Sequence, residues 1–307
     1  LGVDNTKPEP WYEKGGYTQL HFPIADRIYE KGDTKTPLIY VIRKIKNVGD
    51  KYEGFQQAAG SWDKYGDKKH ITKALEESLK RLQTDYIDLY QLHWPDRKTN
   101  FFGQLGYQHD ENDNSIPLEE TLSILDDLVK QGKIRYIGIS NETAWGAMKL
   151  IEIAKEKNFS RIVSVQNPYN LLNRSYEVGL AEVSIREQCG LLAYSPLGFG
   201  VLSGKYLNNQ WPENARLTLF KEFTRYLNPV AIKCTESYIK LAEENGFKPS
   251  QMALSYVNSR PFLTSNIVGA TNLKQLKENI DSVDIKLNKK IIEKIEEIHK
   301  INPNPAP

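Results

Sequence analysis

The stretch IRYIGISNETAWGAMKLIEIAKEKNFSRIVSVQ at residues 134–166 decides the fold. Two short runs rich in Ile, Val and Tyr, at 134–139 and 161–166, flank a longer segment, 143–157, whose apolar residues recur every three or four positions. The short runs are typical of β-strands and the longer segment is typical of an amphipathic helix. The stretch therefore predicts one βαβ unit of a parallel sheet.

The same alternation continues on both sides of this unit. Further strands are predicted at 38–44, 86–92, 190–195 and 264–268. Further helices are predicted at 70–83, 117–131, 174–187, 232–246, 249–258, 272–282 and 288–300. In the helix at 174–187, part of the apolar face is assigned to Val178, Ala181, Val183 and Ile185. Repeated βα units of this length indicate a single α/β domain over residues 1–307, folded as a (β/α)8 TIM barrel with a C-terminal helix and tail at 288–307.

The first 37 residues fit this alternation poorly. Gly2-Val3-Asp4 is predicted as the end of a strand and 23–31 as a helix, with an irregular segment between them. An eight-stranded barrel needs one more complete strand than the sequence shows, and an open barrel would leave an unpaired edge. We therefore expect the N-terminal part of the barrel to be incomplete or disordered.

Composition excludes several classes of protein. The chain has 41 basic and 39 acidic residues, so its formal charge of +2 favours neither a nucleic-acid nor a membrane partner. No apolar run approaches the roughly 20 residues that span a bilayer. The two cysteines, Cys189 and Cys234, are too few for a disulfide framework, which favours a cytoplasmic protein with reduced thiols. Nothing in the sequence specifies an oligomeric state.

Polar side chains stand where several predicted strands end. His93 lies in YQLHWP at 90–95, and Lys44 ends the strand IYVIRK; Ser140 and Asn141 follow the strand of 134–139. Gln166 ends the next strand, and Tyr194 begins the run YSPLG. Taken singly, each has an ordinary structural explanation, such as a helix cap for Asn141. Because strand ends meet at one rim of a barrel, together they indicate a site for a planar amide ligand.

A second candidate site follows the last predicted strand. The turn Val268-Gly269-Ala270-Thr271 leads into a predicted helix that contains Gln275, Glu278 and Asn279. A glycine-containing turn that opens a helix exposes backbone N–H groups, which bind anions. Two long segments, 95–116 and 196–231, are predicted as loops at the rim, where loops carry function. Phe101, Phe102 and Tyr107 in the first loop either line a substrate pocket or pack within the loop.

Four blocks of sequence resemble the aldo-keto reductase family in family order, and the nearest resemblance is to its bacterial Tas-like members. The blocks are SLKRLQTDYIDLYQLHWP at 78–95, GKIRYIGISNET at 132–143, QNPYNLLNRSYEVGLAEVS at 166–184 and LAYSPLGFGVLSGKYL at 192–207. The resemblance extends from about residue 38 to Pro307. The superfamily also includes potassium-channel β-subunits, which share several of these positions.

The resemblance implies a catalytic tetrad of Asp, Tyr, Lys and His. His93 takes the histidine position, and Lys44 takes the lysine position, with Lys46 as the alternative. Asp4 is the candidate aspartate. The family places the tyrosine, the general acid, about five residues after the aspartate, where this chain has Glu9. Tyr12 is therefore the candidate tyrosine, and this position departs from the family pattern.

The resemblance also implies an NADP(H) site and no metal. Nicotinamide would contact Ser140, Asn141, Gln166 and Tyr194. The residues implied for the phosphates and the adenosine are Ser195, Pro196, Leu197, Gly198, Lys205, Arg216, Gly269, Thr271, Gln275, Glu278 and Asn279. Two cations among them favour NADPH/NADP+, because the 2′-phosphate adds negative charge. The chain has no GxGxxG motif, so the dinucleotide would be held by barrel loops.

The function predicted from these features is NADPH-dependent reduction of a small aldehyde or ketone to an alcohol. The alternative is an NADP(H)-binding redox sensor or regulatory subunit with weak or no catalysis, which the departure at the tyrosine favours. A purely structural barrel explains the phosphate-site residues poorly.

Overall fold

The computed structural model describes the backbone of residues 19–21 and residues 68–307. Asp4, Tyr12 and Lys44 lie outside the described residues, as do Lys46, the strand predicted at 38–44 and the helix predicted at 23–31. The outcome of those predictions is therefore left to experiment.

The described strands form one six-stranded sheet in the order β1-β6-β5-β4-β3-β2. Their bounds are Gln19–His21 (β1), Ile87–Leu92 (β2), Ile134–Ser140 (β3), Ile162–Pro168 (β4), Gly190–Tyr194 (β5) and Leu263–Gly269 (β6). Strands β2 to β6 are parallel, and β1 pairs antiparallel with β6, with Gln19 opposite Gly269. The five strands predicted within residues 68–307 are confirmed, whereas β1 was not predicted.

Helices connect the parallel strands, as expected for βα units. The α-helices are Lys68–Leu82 (α1), Leu118–Lys130 (α2), Ala144–Lys157 (α3), Leu180–Arg186 (α4), Arg216–Leu219 (α5), Pro229–Glu244 (α6), Pro249–Asn258 (α7), Leu273–Asp281 (α8) and Lys289–Ile301 (α9). Short polar side chains begin several of them: Thr143, Asn228, Asn272 and Asn288 each accept a hydrogen bond from a backbone N–H of the first turn. No helix within residues 68–307 is long and apolar enough to cross a bilayer.

The sheet has apolar side chains on both faces. Ile137, Ile139 and Val165 belong to the large core between strands and helices. Leu89 of β2, Leu192 of β5 and Ile267 of β6 form a separate buried cluster. Because β2 and β6 end the run of parallel strands, a cluster that includes both means that the sheet curls toward a barrel. The carboxyl ends of its strands therefore converge on one rim, which we call the mouth.

The segment predicted as one helix at 174–187 is divided, and this prediction was wrong. A 3-10 turn at Ser175–Val178 precedes α4, and Gly179 separates them. The break shifts the helical phase, so Val178 and Ile185 are exposed while Tyr176 and Leu180 are buried. A Cβ on Gly179 would lie 3.2 Å from that of Ala144, so glycine allows α3 to approach closely.

Arg174, just before this turn, is a buried cation with two carboxylate partners. Its Nε and Nη2 donate to Glu177 Oε1 and Oε2 at 2.8 and 2.7 Å, and Nη1 lies 2.9 Å from Glu296 Oε2 in α9. Tyr169 also donates to Glu177. This network fixes the 3-10 turn against the C-terminal helix.

Candidate active site

Asn141 joins the ends of three strands at the mouth. Its Nδ2 donates to the backbone carbonyl of His93 at 2.8 Å, and its Oδ1 accepts from the hydroxyl of Tyr194 at 2.6 Å. Because a carbonyl only accepts, the amide orientation of Asn141 is determined. His93 follows β2, Asn141 follows β3 and Tyr194 ends β5, so one buried side chain aligns all three.

Gln166 of β4 is joined to the same group. Its backbone carbonyl accepts from Ser140 Oγ at 2.6 Å and from the backbone N–H of Asn141 at 3.1 Å. Its side-chain Oε1 accepts from Gln91 Nε2 at 3.0 Å. With Oε1 engaged, the Nε2 of Gln166 remains as the donor for a ligand. Ser140, Asn141, Gln166 and Tyr194 thus form one hydrogen-bonded unit, which we call the amide cluster.

The hydroxyl of Tyr194 is kept protonated by its surroundings. Burial raises the pKa of Tyr194, and the nearby charge of Arg225 only partly offsets this effect. A protonated hydroxyl can donate to Asn141 at any physiological pH. The ring of Tyr194 joins the apolar cluster of Leu89, Leu192 and Ile267 at the centre of the sheet.

His93 stands beside an aromatic wall. Its ring centroid lies 4.5 Å from that of Trp94, and Trp94 makes an edge contact at 5.4 Å with Phe102. Phe101 packs edge-on against Phe102 at 5.1 Å. Residues 95–116, which we call the mouth loop, thus bring two aromatic rings toward the histidine. Tyr107 bonds to His109 instead. Phe101 and Phe102 are therefore the stronger pocket candidates, because their rings connect to the histidine through Trp94, although Phe102 is itself 41% exposed.

An ion pair holds the base of the mouth loop. Arg97 Nη1 and Nη2 donate to Glu142 Oε2 and Oε1 at 3.0 and 2.5 Å, and Arg97 Cζ lies 4.8 Å from the ring centroid of Trp145. Glu142 also accepts from the backbone N–H of Thr143 at 2.6 Å. A Cβ on Gly146 would lie 2.4 Å from the Glu142 carboxylate and 2.5 Å from Arg97 Nη2, so a larger residue here would displace this ion pair.

The turn after β5 is built from left-handed residues. Ser195, Gly198, Phe199 and Gly200 have φ values of 55°, 54°, 57° and 92°. Lys205 folds back over this turn, and a Cβ on Gly200 would lie 2.9 Å from its Nζ. Glycine at 200 therefore satisfies both the positive φ and the close approach of Lys205.

Lys205 is a half-buried cation whose charge is not neutralised by the rest of the described chain. None of the ion pairs within residues 68–307 involves it, and burial lowers the pKa of its ammonium group. Arg216 lies nearby, with Cζ 4.3 Å from the Phe199 ring centroid and 5.1 Å from that of Phe223. Two cations beside a tight turn form a site that fits phosphate groups.

The turn after β6 forms a second polar group at the start of α8. Gln275 Oε1 accepts from both the N–H and the hydroxyl of Thr271 at 3.0 Å, and Asn279 Nδ2 donates to the Gly269 carbonyl at 3.3 Å. Glu278, assigned to adenine by resemblance, pairs with Lys248 at 2.6 Å. Helix α7 packs against both α8 and the 3-10 turn at Gly198–Ser203, so the two candidate phosphate regions flank one helix.

Four residues of the mouth were not predicted from the sequence: Gln91, Arg97, Glu142 and Arg225. Each has contacts with residues far away along the chain, such as those of Gln91 with Gln166 and of Glu142 with Arg97. The only local signals were the polar Gln91 within an apolar strand and the charged Glu142 directly after Ser140-Asn141. Within residues 68–307, no group of three or more His, Cys, Asp or Glu side chains has an arrangement that could hold a metal ion.

Comparison with known proteins assigns the family. The sequence matches the aldo/keto reductase family over residues 28–300. The chain belongs to the aldo/keto reductase family, and it is therefore an oxidoreductase with the TIM-barrel fold of that family.

Individual relatives agree with this assignment. The chain is 51% identical over 241 residues to Protein tas of Escherichia coli (strain K12), covering 78% of this chain and 70% of that protein. It is 30% identical over 239 residues to L-glyceraldehyde 3-phosphate reductase of Escherichia coli (strain K12), covering 75% of this chain and 63% of that protein. It is 32% identical over 244 residues to the putative voltage-gated potassium channel subunit beta of Schizosaccharomyces pombe, covering 77% of this chain and 66% of that protein.

Proposed function

We propose that the protein reduces an aldehyde or ketone to an alcohol with NADPH as the hydride donor. The observation that carries this proposal is the convergence of His93 with the amide cluster, through Asn141, at the carboxyl ends of parallel strands. This is the position at which barrel enzymes bind their substrates. The relatives that are named as reductases support the same class of reaction.

The amide cluster supplies the donors and acceptors that a carboxamide needs. Gln166 Nε2 would donate to the carboxamide oxygen, and the remaining lone pair of Asn141 Oδ1 would accept from the carboxamide nitrogen. The ring of Tyr194 offers a flat apolar face beside them. A nicotinamide bound here supplies hydride to a carbonyl carbon.

The charges of the β5–α6 loop favour NADPH over NADH. Lys205 and Arg216 would bind the phosphates, and Thr271 and Gln275 would contribute hydrogen bonds at the start of α8. A half-buried ammonium group without an anionic partner is costly, and a phosphate at Lys205 would remove that cost. Pro196, Leu197 and Gly198 would line the pyrophosphate.

Of the residues that would act on the carbonyl oxygen, His93 belongs to the part of the chain that the structure describes, and the others lie outside it. His93 would orient the carbonyl by a hydrogen bond. By family resemblance, Tyr12 would protonate the oxygen, with Lys44 lowering its pKa and Asp4 paired to that lysine. The proton and the hydride together convert the carbonyl to a hydroxyl group.

The test is NADPH consumption with 4-nitrobenzaldehyde, followed by absorbance. We expect turnover by the wild type, and His93→Ala should lower kcat by about 100-fold or more while leaving NADPH affinity nearly unchanged. His109→Ala is the matched control, because His109 is an exposed histidine of the mouth loop. Full-length protein that binds NADPH but reduces neither 4-nitrobenzaldehyde nor methylglyoxal would refute the proposal.

A second function is a nucleotide-binding regulator that keeps the cofactor site without efficient catalysis. It is favoured by Glu9, which stands where the family has its tyrosine. A relative is named as a potassium channel subunit beta, which supports this class. Tight NADPH binding with a rate that is unchanged by Tyr12→Phe, Lys44→Met and His93→Ala would favour the regulator.

A further inference from the structure

Arg225 brings to the mouth a positive charge that forms no ion pair with a carboxylate side chain of residues 68–307. None of the ion pairs within residues 68–307 includes it. Arg97, another arginine at the mouth, is fully engaged by Glu142. The two arginines therefore differ in kind: Arg97 is paired with a carboxylate, whereas Arg225 contacts the neutral hydroxyls of Tyr194 and Tyr226 and keeps its full charge.

The guanidinium of Arg225 lies against the mouth loop. Its Nε is 3.4 Å from the position that a Cβ on Gly103 would occupy, and its Cζ is 6.0 Å from the ring centroid of Phe102. Phe102 contacts Trp94, and Trp94 contacts His93. A continuous aromatic wall thus leads from the histidine to Arg225.

The other side of Arg225 faces the amide cluster. Burial raises the pKa values of Tyr194 and Tyr226, and the charge and side-chain hydrogen bonds of Arg225 partly offset this effect for both hydroxyls. Tyr194 donates to Asn141, and Tyr226 receives a hydrogen bond from Asn170 at 3.1 Å. Arg225 therefore lies between the proposed nicotinamide site and the mouth loop.

We propose that Arg225 binds an anionic group, a carboxylate or a phosphate, carried by the carbonyl substrate itself. This inference rests on the proposed reductase function and specifies its substrate class. The planar guanidinium matches the two oxygens of a carboxylate or phosphate. The wall formed by Trp94 and Phe102 offers apolar contact to the part of the substrate between its carbonyl and its anion.

The cofactor is a second possible source of an anion, but its phosphates have other partners in the same loop. Lys205 and Arg216 lie around Phe199 and Gly200, whereas Arg225 contacts Phe102 and Gly103 of the mouth loop. We therefore assign Arg225 to the substrate.

The experiment compares 4-carboxybenzaldehyde with its neutral methyl ester, methyl 4-formylbenzoate, at saturating NADPH. Arg225→Met removes the charge and keeps much of the side-chain volume, and Arg225→Lys keeps the charge without the planar fork. Lys98→Met is the matched control, because Lys98 is an exposed cation of the mouth loop. NADPH affinity is measured for each variant by fluorescence titration.

Arg225→Met should lower kcat/KM for the acid by about 10- to 100-fold, chiefly through KM, as expected for the loss of a charged hydrogen-bonded contact. The ester should change by less than about 2-fold, and Arg225→Lys should recover part of the loss. An equal loss for acid and ester, or an equal effect of Lys98→Met, would overturn the proposal. A matching loss of NADPH affinity would assign Arg225 to the cofactor phosphates and would also overturn it.

A binding measurement separates this inference from the proposed function. Calorimetric titration of the NADP+-loaded protein with 4-(hydroxymethyl)benzoate and with its methyl ester requires no turnover. Tighter binding of the acid that Arg225→Met abolishes would support the anion site even if neither aldehyde were reduced. Equal binding of acid and ester by the wild type would refute the anion site even if both aldehydes were reduced.

Discussion

Removing Arg97 should destabilise the protein because it leaves the charge of Glu142 buried. The side chain of Glu142 is 4% exposed and that of Arg97 is 12% exposed. Breaking a buried pair by deleting one partner typically costs 3–5 kcal/mol. In Arg97→Met, Glu142 keeps the N–H of Thr143 as a hydrogen-bond donor. The loss in the free energy of unfolding should therefore lie near the lower limit of this range, at about 3 kcal/mol. For a chain of 307 residues that corresponds to a Tm lower by roughly 5 °C.

A double-mutant cycle tests this reasoning. Glu142→Gln keeps the shape of the side chain and removes its charge, so it should cost less than Arg97→Met. The double variant should be more stable than the sum of the two single losses predicts, because neither charge is then left without its partner. The measurement is urea denaturation followed by circular dichroism at neutral pH. Lys149→Met is the control, because its contact with Glu152 is exposed, and it should show no measurable loss.

Strict additivity in the cycle, or an Arg97→Met variant as stable as the wild type, would refute the assigned role of the pair. Activity provides a second observable. Arg97 holds the base of the mouth loop, so its loss should raise KM for carbonyl substrates more than it lowers kcat.

Three further predictions follow from the site and its supports. Gln91→Leu removes the donor that fixes the amide of Gln166, and with it the fixed direction of Gln166 Nε2 toward the carboxamide. Thio-NADPH has a sulfur, a weaker acceptor, in place of the carboxamide oxygen, so the ratio of the activity with NADPH to that with thio-NADPH should become smaller in this variant. An unchanged ratio would contradict this orientation of the amide. Burial lowers the pKa of Lys205, so its charge is present below that pKa and is lost as the pH rises through it. NADPH affinity of the wild type, measured by fluorescence titration, should therefore fall with rising pH before the value of about 10.4 at which an ordinary lysine titrates, and it should be weaker but independent of pH in this range for Lys205→Met. Burial raises the pKa of Glu177, but the hydrogen bonds from Arg174 and Tyr169 lower it by a larger amount, so the net pKa is below that of an ordinary glutamate. The stability that the lowered pKa contributes is present above about pH 4.3 and is lost on acidification. Between about pH 5 and pH 3, the free energy of unfolding of Glu177→Gln, measured by denaturation, should therefore fall by less than that of the wild type.

The alternation of strands and helices could be predicted because each element is written in its own local composition: short apolar, β-branched runs for strands buried on both faces, and longer amphipathic segments for helices. Ile134, Ile137 and Ile139 of β3 are all buried, and the sequence shows their spacing directly. The helix predicted at 174–187 failed because the composition of 175–186 fits a helix, while the close packing of Gly179 on Ala144 interrupts it. That contact joins residues 35 positions apart, and no local period records it.

In the candidate site, too, the positions of residues could be predicted from local sequence, whereas their contacts could not. His93, Asn141, Gln166 and Tyr194 could be predicted because they end strands that a barrel must bring together. Their connections could not, because the bonds from Asn141 to His93 and from Gln91 to Gln166 depend on side-chain orientation in three dimensions. Arg225 was missed for a similar reason, since it lies in a long loop with no periodic pattern.

The anchoring of Asn141 also bears on how such an enzyme acquires new substrates. The atoms that would hold the nicotinamide are attached to strand ends and to one another, whereas Arg225, Phe101 and Phe102 belong to long loops. Under the proposed function, mutation of the loops would alter the range of substrates accepted, while the atoms at the strand ends stay in place. Asn141, whose bonds tie three strand ends together, would keep those atoms in register while the loops change.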